Sequence, residues 1–183
     1  MKKQKKSKHR LHRLKILESV KICVNLWFPI LFVAIAGLGL WGCSSLTPTP
    51  DVRVVGITSD TPLSISVSDT TKDYTVTLQF VSMNKVDAII TQDWASFYRN
   101  ADGTGLLYNE TPRAISFFIT GTDTVQMKLE YTRSVIAGFY KYMTANGISQ
   151  MNCKWNFYGE DAYGYKKTFY VETPRNYWIN FHF

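Results

Sequence analysis

Three histidines and three cysteines bound the chemistry open to this 183-residue chain, and their positions keep them apart. His9 and His12 stand in a basic N-terminal run, and His182 is the penultimate residue. A Ser-His-acid or Cys-His couple needs an imidazole within reach of its nucleophile, so one terminal histidine is a poor basis for an enzyme. The same shortage argues against zinc, which takes three or four His, Cys or carboxylate ligands. Neither G-x-x-x-x-G-K-[ST] nor G-x-G-x-x-G occurs, so nucleotide chemistry is not expected. Glu160-Asp161 and Asp102-Gly103 fall in expected loops, where carboxylates can hold calcium. Asp and Gly are equally what tight turns require, and turn formation is the simpler expectation. Nothing nominates a carboxylate pair for glycoside hydrolysis. These readings describe a protein that is not an enzyme, with no catalytic residue, no metal and no cofactor.

Aromatic residues carry the remaining chemistry. The chain has 11 Phe, 11 Tyr and 5 Trp. Many must fill a core, but Trp94, Tyr98, Tyr163, Tyr165 and Tyr170 fall on expected loops or polar faces. Grouped together they would form a contact surface, because aromatic side chains dominate interface energetics. Cys153 alternates with Met151, Trp155 and Phe157, which places it inside as a small hydrophobe rather than outside as a reactive thiol.

The N-terminal quarter supplies an address. Residues 2–21 hold nine Lys and Arg against one acid, Glu18. The remainder holds 12 basic and 13 acidic residues, so the basic character of the chain belongs to this tail. Residues 22–41 follow without a charge, about 30 Å of helix and enough to span a bilayer core. A basic flank ahead of such a segment holds the N-terminus in the cytoplasm, and this explains the charges without a nucleic-acid partner.

Leu40-Trp41-Gly42-Cys43 resembles the lipobox of bacterial lipoprotein precursors, with an aliphatic residue three before the cysteine and a small residue directly before it. The resemblance implies cleavage before Cys43 and a lipid on its thiol, each buried methylene of which contributes about 0.8 kcal/mol to anchoring. Retention of the 22–41 helix as an uncleaved anchor is the alternative. Ser44 after the cysteine implies, by the same resemblance, outer-membrane rather than inner-membrane sorting. Either way the rest of the chain is expected to face the periplasm or the exterior, anchored to the cell membrane or outer membrane.

The expected organisation is a basic tail (1–21), a signal or membrane segment (22–42), a proline-bearing tether (43–50) and one domain (51–183). Period-two alternation runs through 63–67, 74–80, 125–131 and 151–157, the pattern of half-buried strands. Further strands are expected at 52–57, 86–90, 96–100, 114–119, 166–172 and 177–183. Val135, Ile136, Phe139, Tyr140 and Met143 instead fall at helical spacing before Asn146-Gly147, predicting a short crossover helix over 134–145. The fold class is all-β, an antiparallel sandwich. The stretch from Trp155 to Tyr165 resembles the terminal hairpins of immunoglobulin-like and fibronectin-like sandwiches, though without the Cys…Trp…Cys spacing of antibody domains. The last eight residues also resemble the closing strand of outer-membrane barrels, and an eight-stranded barrel would fit the length.

These features imply a lipid-anchored, non-catalytic envelope protein serving adhesion, assembly or scaffolding through a sheet face or end loops. Its partners are membrane lipid, through Cys43 or the 22–41 helix, and an envelope protein or glycan. A carbohydrate- or peptidoglycan-binding or -active protein is the alternative.

Overall fold

The computed structural model describes residues 47–59 and 63–183. The basic tail, the 22–42 segment and Cys43 lie outside the described residues. Residues 48–183 belong to one compact unit, and among the described residues no helix is long and apolar enough to cross a membrane.

Among the described residues the unit holds ten strands and one α-helix, with a short 3-10 turn at Arg175–Tyr177: β1 (Val52–Ser59), β2 (Ser64–Ser66), β3 (Tyr74–Ser82), β4 (Ala88–Tyr98), β5 (Leu106–Asn109), β6 (Arg113–Ile119), β7 (Val125–Tyr131), α1 (Arg133–Ala145), β8 (Gln150–Asp161), β9 (Thr168–Glu172) and β10 (Ile179–His182). They form a three-stranded sheet, β1-β3-β7, and a seven-stranded sheet along β2-β10-β8-β4-β5, with β6 paired to β4 and β9 to β8. The all-β class therefore holds.

Alternation explains why both sheets stack on one core. In β3 the buried residues Tyr74, Val76, Leu78 and Phe80 alternate with half-buried ones, and in β8 Met151, Cys153, Trp155 and Phe157 line the inner face. Phe80 of the small sheet meets Phe157 of the large one edge-on, ring centres 5.0 Å apart, so the two inner faces touch. Such an edge-to-face pair adds about 0.5–1.5 kcal/mol beyond the area it buries. Among the described residues the strands form two separate sheets, neither of which closes on itself, rather than the single barrel that the C-terminal phenylalanines resemble. Phe181 is fully buried in β10, held between β8 and β2.

The helix appears where its spacing predicts. Ile136, Phe139 and Met143 turn inward, and Phe139 packs on Phe181 (4.7 Å) and Phe97 (5.3 Å). Val135 and Tyr140 face outward, Tyr140 against Phe183 at 5.6 Å. The first helical N–H, of Arg133, donates to the Asp73 carboxylate at 2.7 Å, so a distant turn satisfies an end that its own N-cap Thr132 does not bond. Gly147, at φ +60°, closes the other end, and the Ile148 N–H returns to the Met143 carbonyl.

Three expectations are corrected. The strands at 86–90 and 96–100 are one strand, β4, carried through the intervening residues by an irregularity between Ile90 and Gln92 that resets the alternation. β5 was not among the expected strands; it is short and only partly buried, so it has no period-two signature. The sheet is not wholly antiparallel, because β2 runs parallel to β10. Where the tether meets the domain, Pro50 is buried, the Thr49 carbonyl accepts from Asn84, and the Asp51 N–H donates to Asn84.

Candidate functional site

The outward face of the large sheet gathers the polar and aromatic residues. Because β4 and β8 pair in register, Trp94 lies opposite Asn156, Ser96 opposite Lys154, and Tyr98 opposite Asn152. On the far side of β8, Glu172 lies beside Asn156 and Tyr170 beside Tyr158. The inner neighbours Ala95, Phe97, Trp155 and Phe157 are buried, which puts this set on the opposite face of the sheet, where Ser96, Asn152 and Asn156 are themselves buried and Trp94 and Tyr98 half-buried.

Trp94, Tyr98 and Tyr170 thus share one surface. The Trp94 and Tyr170 rings sit 6.0 Å apart. Tyr98 stacks on Trp178 at 5.2 Å and 20°, and the Lys154 ammonium stands 5.6 Å from the centre of the Tyr98 ring. Lys154 Nζ also reaches Glu172 Oε2 at 2.8 Å. The Tyr170 hydroxyl donates to Asn156 Oδ1 (2.7 Å), with Glu172 Oε2 a second acceptor at 3.1 Å. Asn156 Nδ2 donates to Ser96 Oγ at 2.8 Å. The result is a platform of rings braced by amides and one ion pair.

Its electrostatics follow from that bracing. The hydrogen bond from Lys154 holds Glu172 below the usual carboxylate range, against the opposing effect of burial. Burial pulls Lys154 down, but the bond and charge of Glu172 outweigh it and the net direction is up. Both groups are charged at neutral pH and cancel, so the platform presents rings and dipoles rather than a field. Tyr170 and Tyr158 are exposed, at 53% and 38%, and the Tyr158 hydroxyl has no hydrogen-bond partner among the described residues.

Tyr163 and Tyr165 do not join this surface. They lie in the turn between β8 and β9, where Tyr163 Oη donates to Asp87 Oδ2 at 3.2 Å. Glu160-Asp161 belong to the end of β8 rather than to a loop. The Asp161 carboxylate accepts the N–H groups of Tyr163 (3.0 Å), Tyr165 (3.1 Å) and Lys167 (2.6 Å), and Asp102 Oδ1 accepts the Thr104 N–H at 2.8 Å. Both acids therefore build turns. Among the described residues no three His, Cys, Asp or Glu side chains gather as a metal set.

Cys153 and His182 do not meet. Ile179 is the partner of Cys153 in β10, and the thiol points inward, 3.9 Å from Tyr131 Oη. His182 Nδ1 lies 2.8 Å from the Phe183 carbonyl oxygen.

Lys154, Asn156, Glu172 and Trp178 were missed as site residues by sequence reasoning. Lys154 and Asn156 were legible as the polar half of an alternating strand. Their convergence with β4 and β9 depends on pairing, which one strand does not disclose.

No family model matches this chain, and no curated protein matches it in sequence. One similar solved structure, "Crystal structure of protein from Archaeoglobus fulgidus", aligns over 74% of this chain and 98% of that chain at 10% identity with a TM-score of 0.34. A likeness that loose carries no argument.

Proposed function

We propose that this chain is a lipid-anchored bacterial cell-envelope protein without catalytic activity. It presents an immunoglobulin-like or fibronectin-like β-sandwich to the periplasm or exterior for adhesion, assembly or scaffolding. The anchor is lipid on Cys43, or the 22–41 helix. The observation that carries the reading is the Trp94–Tyr170–Tyr98–Trp178 platform on the face of the large sheet turned away from the core, where exposed Tyr170 lies beside the half-buried rings of Trp94, Tyr98 and Trp178. The burial of the Cys153 thiol against Tyr131 supports a binding rather than a catalytic role.

Palmitate labelling of the intact protein is expected, and Cys43→Ala abolishes it. A photo-crosslinking residue placed at Tyr170 is expected to give adducts in intact envelopes, and one at exposed Thr58 on the small sheet is not. Equal labelling of Cys43→Ala removes the lipid anchor from the proposal, and equal crosslinking from both positions removes the platform.

A glycan or peptidoglycan strand is the second reading. It is favoured by exposed Tyr158 and Tyr170 lying side by side on one face, since rings can stack on the apolar faces of sugars. Retention on insoluble peptidoglycan that is lost in Trp94→Ala and Tyr170→Ala supports it, and retention unchanged by both overturns it.

A further inference from the structure

Strands β6 and β7 are consecutive in the chain but belong to different sheets. Each leaves one long edge unpaired among the described residues: β6 bonds β4 and β7 bonds β3. Between these edges lies a cleft of about 630 Å³, walled by 114–117 of β6 and 127–130 of β7, with Trp155 also lining it. The Asp93–Arg113 pair stands at one end.

The walls state what can fill it. An unpaired strand edge offers N–H and C=O groups alternately at the repeat of extended chain. An occupant that satisfies two such edges at once must carry donors and acceptors along both of its own sides at that repeat, and an extended polypeptide does so. Met127 and Leu129 of β7 are buried, and Ile115 and Phe117 of β6 are partly buried against the core. One face of an inserted strand therefore meets apolar surface. The other face lies level with exposed Lys128 and Glu130, one charge of each sign.

We propose that the β6–β7 cleft is a strand-acceptor site that takes an extended segment of another protein, about five to seven residues long with apolar side chains at alternate positions. The chain's own tether fits poorly, because residues 43–50 offer Leu46 as their one large aliphatic side chain and Pro48 and Pro50 lack the N–H donor. Among the described residues of a second copy every strand is already paired in its own sheets, so none is spare to insert. The site is separate from the aromatic platform and does not rest on it.

The test is hydrogen–deuterium exchange on the full chain in detergent, with a synthetic peptide of sequence Thr-Val-Lys-Ile-Thr-Val-Lys as the probe. Exchange at 114–118 and 126–130 is expected to slow by about tenfold or more on peptide addition, with other strands unchanged. The same peptide N-methylated at alternate residues, which removes the donors of one side, is expected to give no protection. Met127→Glu, checked for native circular dichroism, is expected to lose the effect; should that variant not fold, the N-methylated peptide decides. No protection by the parent peptide overturns the proposal, as does equal protection by the N-methylated peptide or by one with its alternation shuffled. Protection without peptide beyond that given by the β4–β6 and β3–β7 pairing overturns it too, whether it disappears on deletion of 43–47 (the chain's own tether) or grows with protein concentration (a second copy).

Discussion

Arg113 holds Asp93 through both ends of its guanidinium, Nε to Oδ1 at 3.1 Å and Nη2 to Oδ2 at 2.7 Å. The Asp93 side chain is 3% exposed while that of Arg113 is 58% exposed, so the pair spans the boundary between core and water. Arg113 also lies 5.5 Å over the Trp155 ring, whose Nε1 donates to Tyr131 Oη at 2.7 Å. The contacts link β4, β6, β8 and β7 across the opening between the two sheets.

Arg113→Met strips the buried carboxylate of its counter-charge. A loss of about 2 kcal/mol is expected, below the ~3–5 kcal/mol of a fully buried pair because water reaches the arginine side. Replacing both partners, as Asp93→Leu with Arg113→Met, is expected to restore most of that stability. Urea unfolding of the three proteins measures it, and a double variant no better than the single one refutes the account.

Burial pushes the Cys153 thiol up, and the neighbouring Tyr131 hydrogen bond offsets this in part. The folded protein is expected to leave Cys153 unmodified by iodoacetamide at pH 8, with alkylation appearing only after denaturation. Peptide-level mass spectrometry separates this thiol from Cys23 and Cys43. Alkylation of Cys153 in the native state at a rate near that of a free thiol is the contrary result.

Asp161 sits below the usual carboxylate range. Burial works to raise it, but the N–H groups of Lys167, Tyr165 and Tyr163 outweigh that effect. A depressed folded value means the stabilisation is present above the unfolded carboxylate value of 3.8 and is lost as pH falls through the lower folded one. Asp161→Ala is expected to cost about 2 kcal/mol at pH 7, by leaving the N–H groups of that turn unpaired. The gap to the parent protein should close in acid. Thermal melts at several pH values test this, and a pH-independent gap would contradict it.

Gly159 lies on the inner face of β8 between Ile90 of β4 and Phe169 of β9. A Cβ there would collide with the Ile89 carbonyl oxygen and the Phe169 ring. Gly159→Ala is accordingly expected to destabilise by about 1–3 kcal/mol. Joining it to Phe169→Leu should recover part of the loss; no recovery would mean that the backbone contact alone is responsible. Differential scanning calorimetry on the two variants distinguishes these outcomes.

Much of this fold was legible in the residue order, because period two is a local property. The alternation at 74–80, 125–131 and 151–157 marks the face turned to the core, and each of those runs lies in a strand with the expected apolar face inward, although Asn152 and Asn156 on the other face of β8 are buried as well. The helix was legible for the same reason, with Ile136, Phe139 and Met143 three and four residues apart. Where the local rhythm breaks, the reading fails. The irregularity near Thr91 made one strand look like two, and β5 has too little burial to alternate.

By itself, then, the sequence determined the strand faces, the helix and the turn acids, since these follow from spacing and backbone preference along one segment. Tertiary pairing alone decided the rest. Lys154 reaches Glu172, and Trp94 reaches Tyr170, because β8 carries β4 on one side and β9 on the other. Tyr163 and Tyr165 are parted from the platform by the length of that hairpin. The open cleft between β6 and β7 exists because two neighbours in the chain joined different sheets, and hydrogen-bond partners chosen across tens of residues leave no trace in local periodicity.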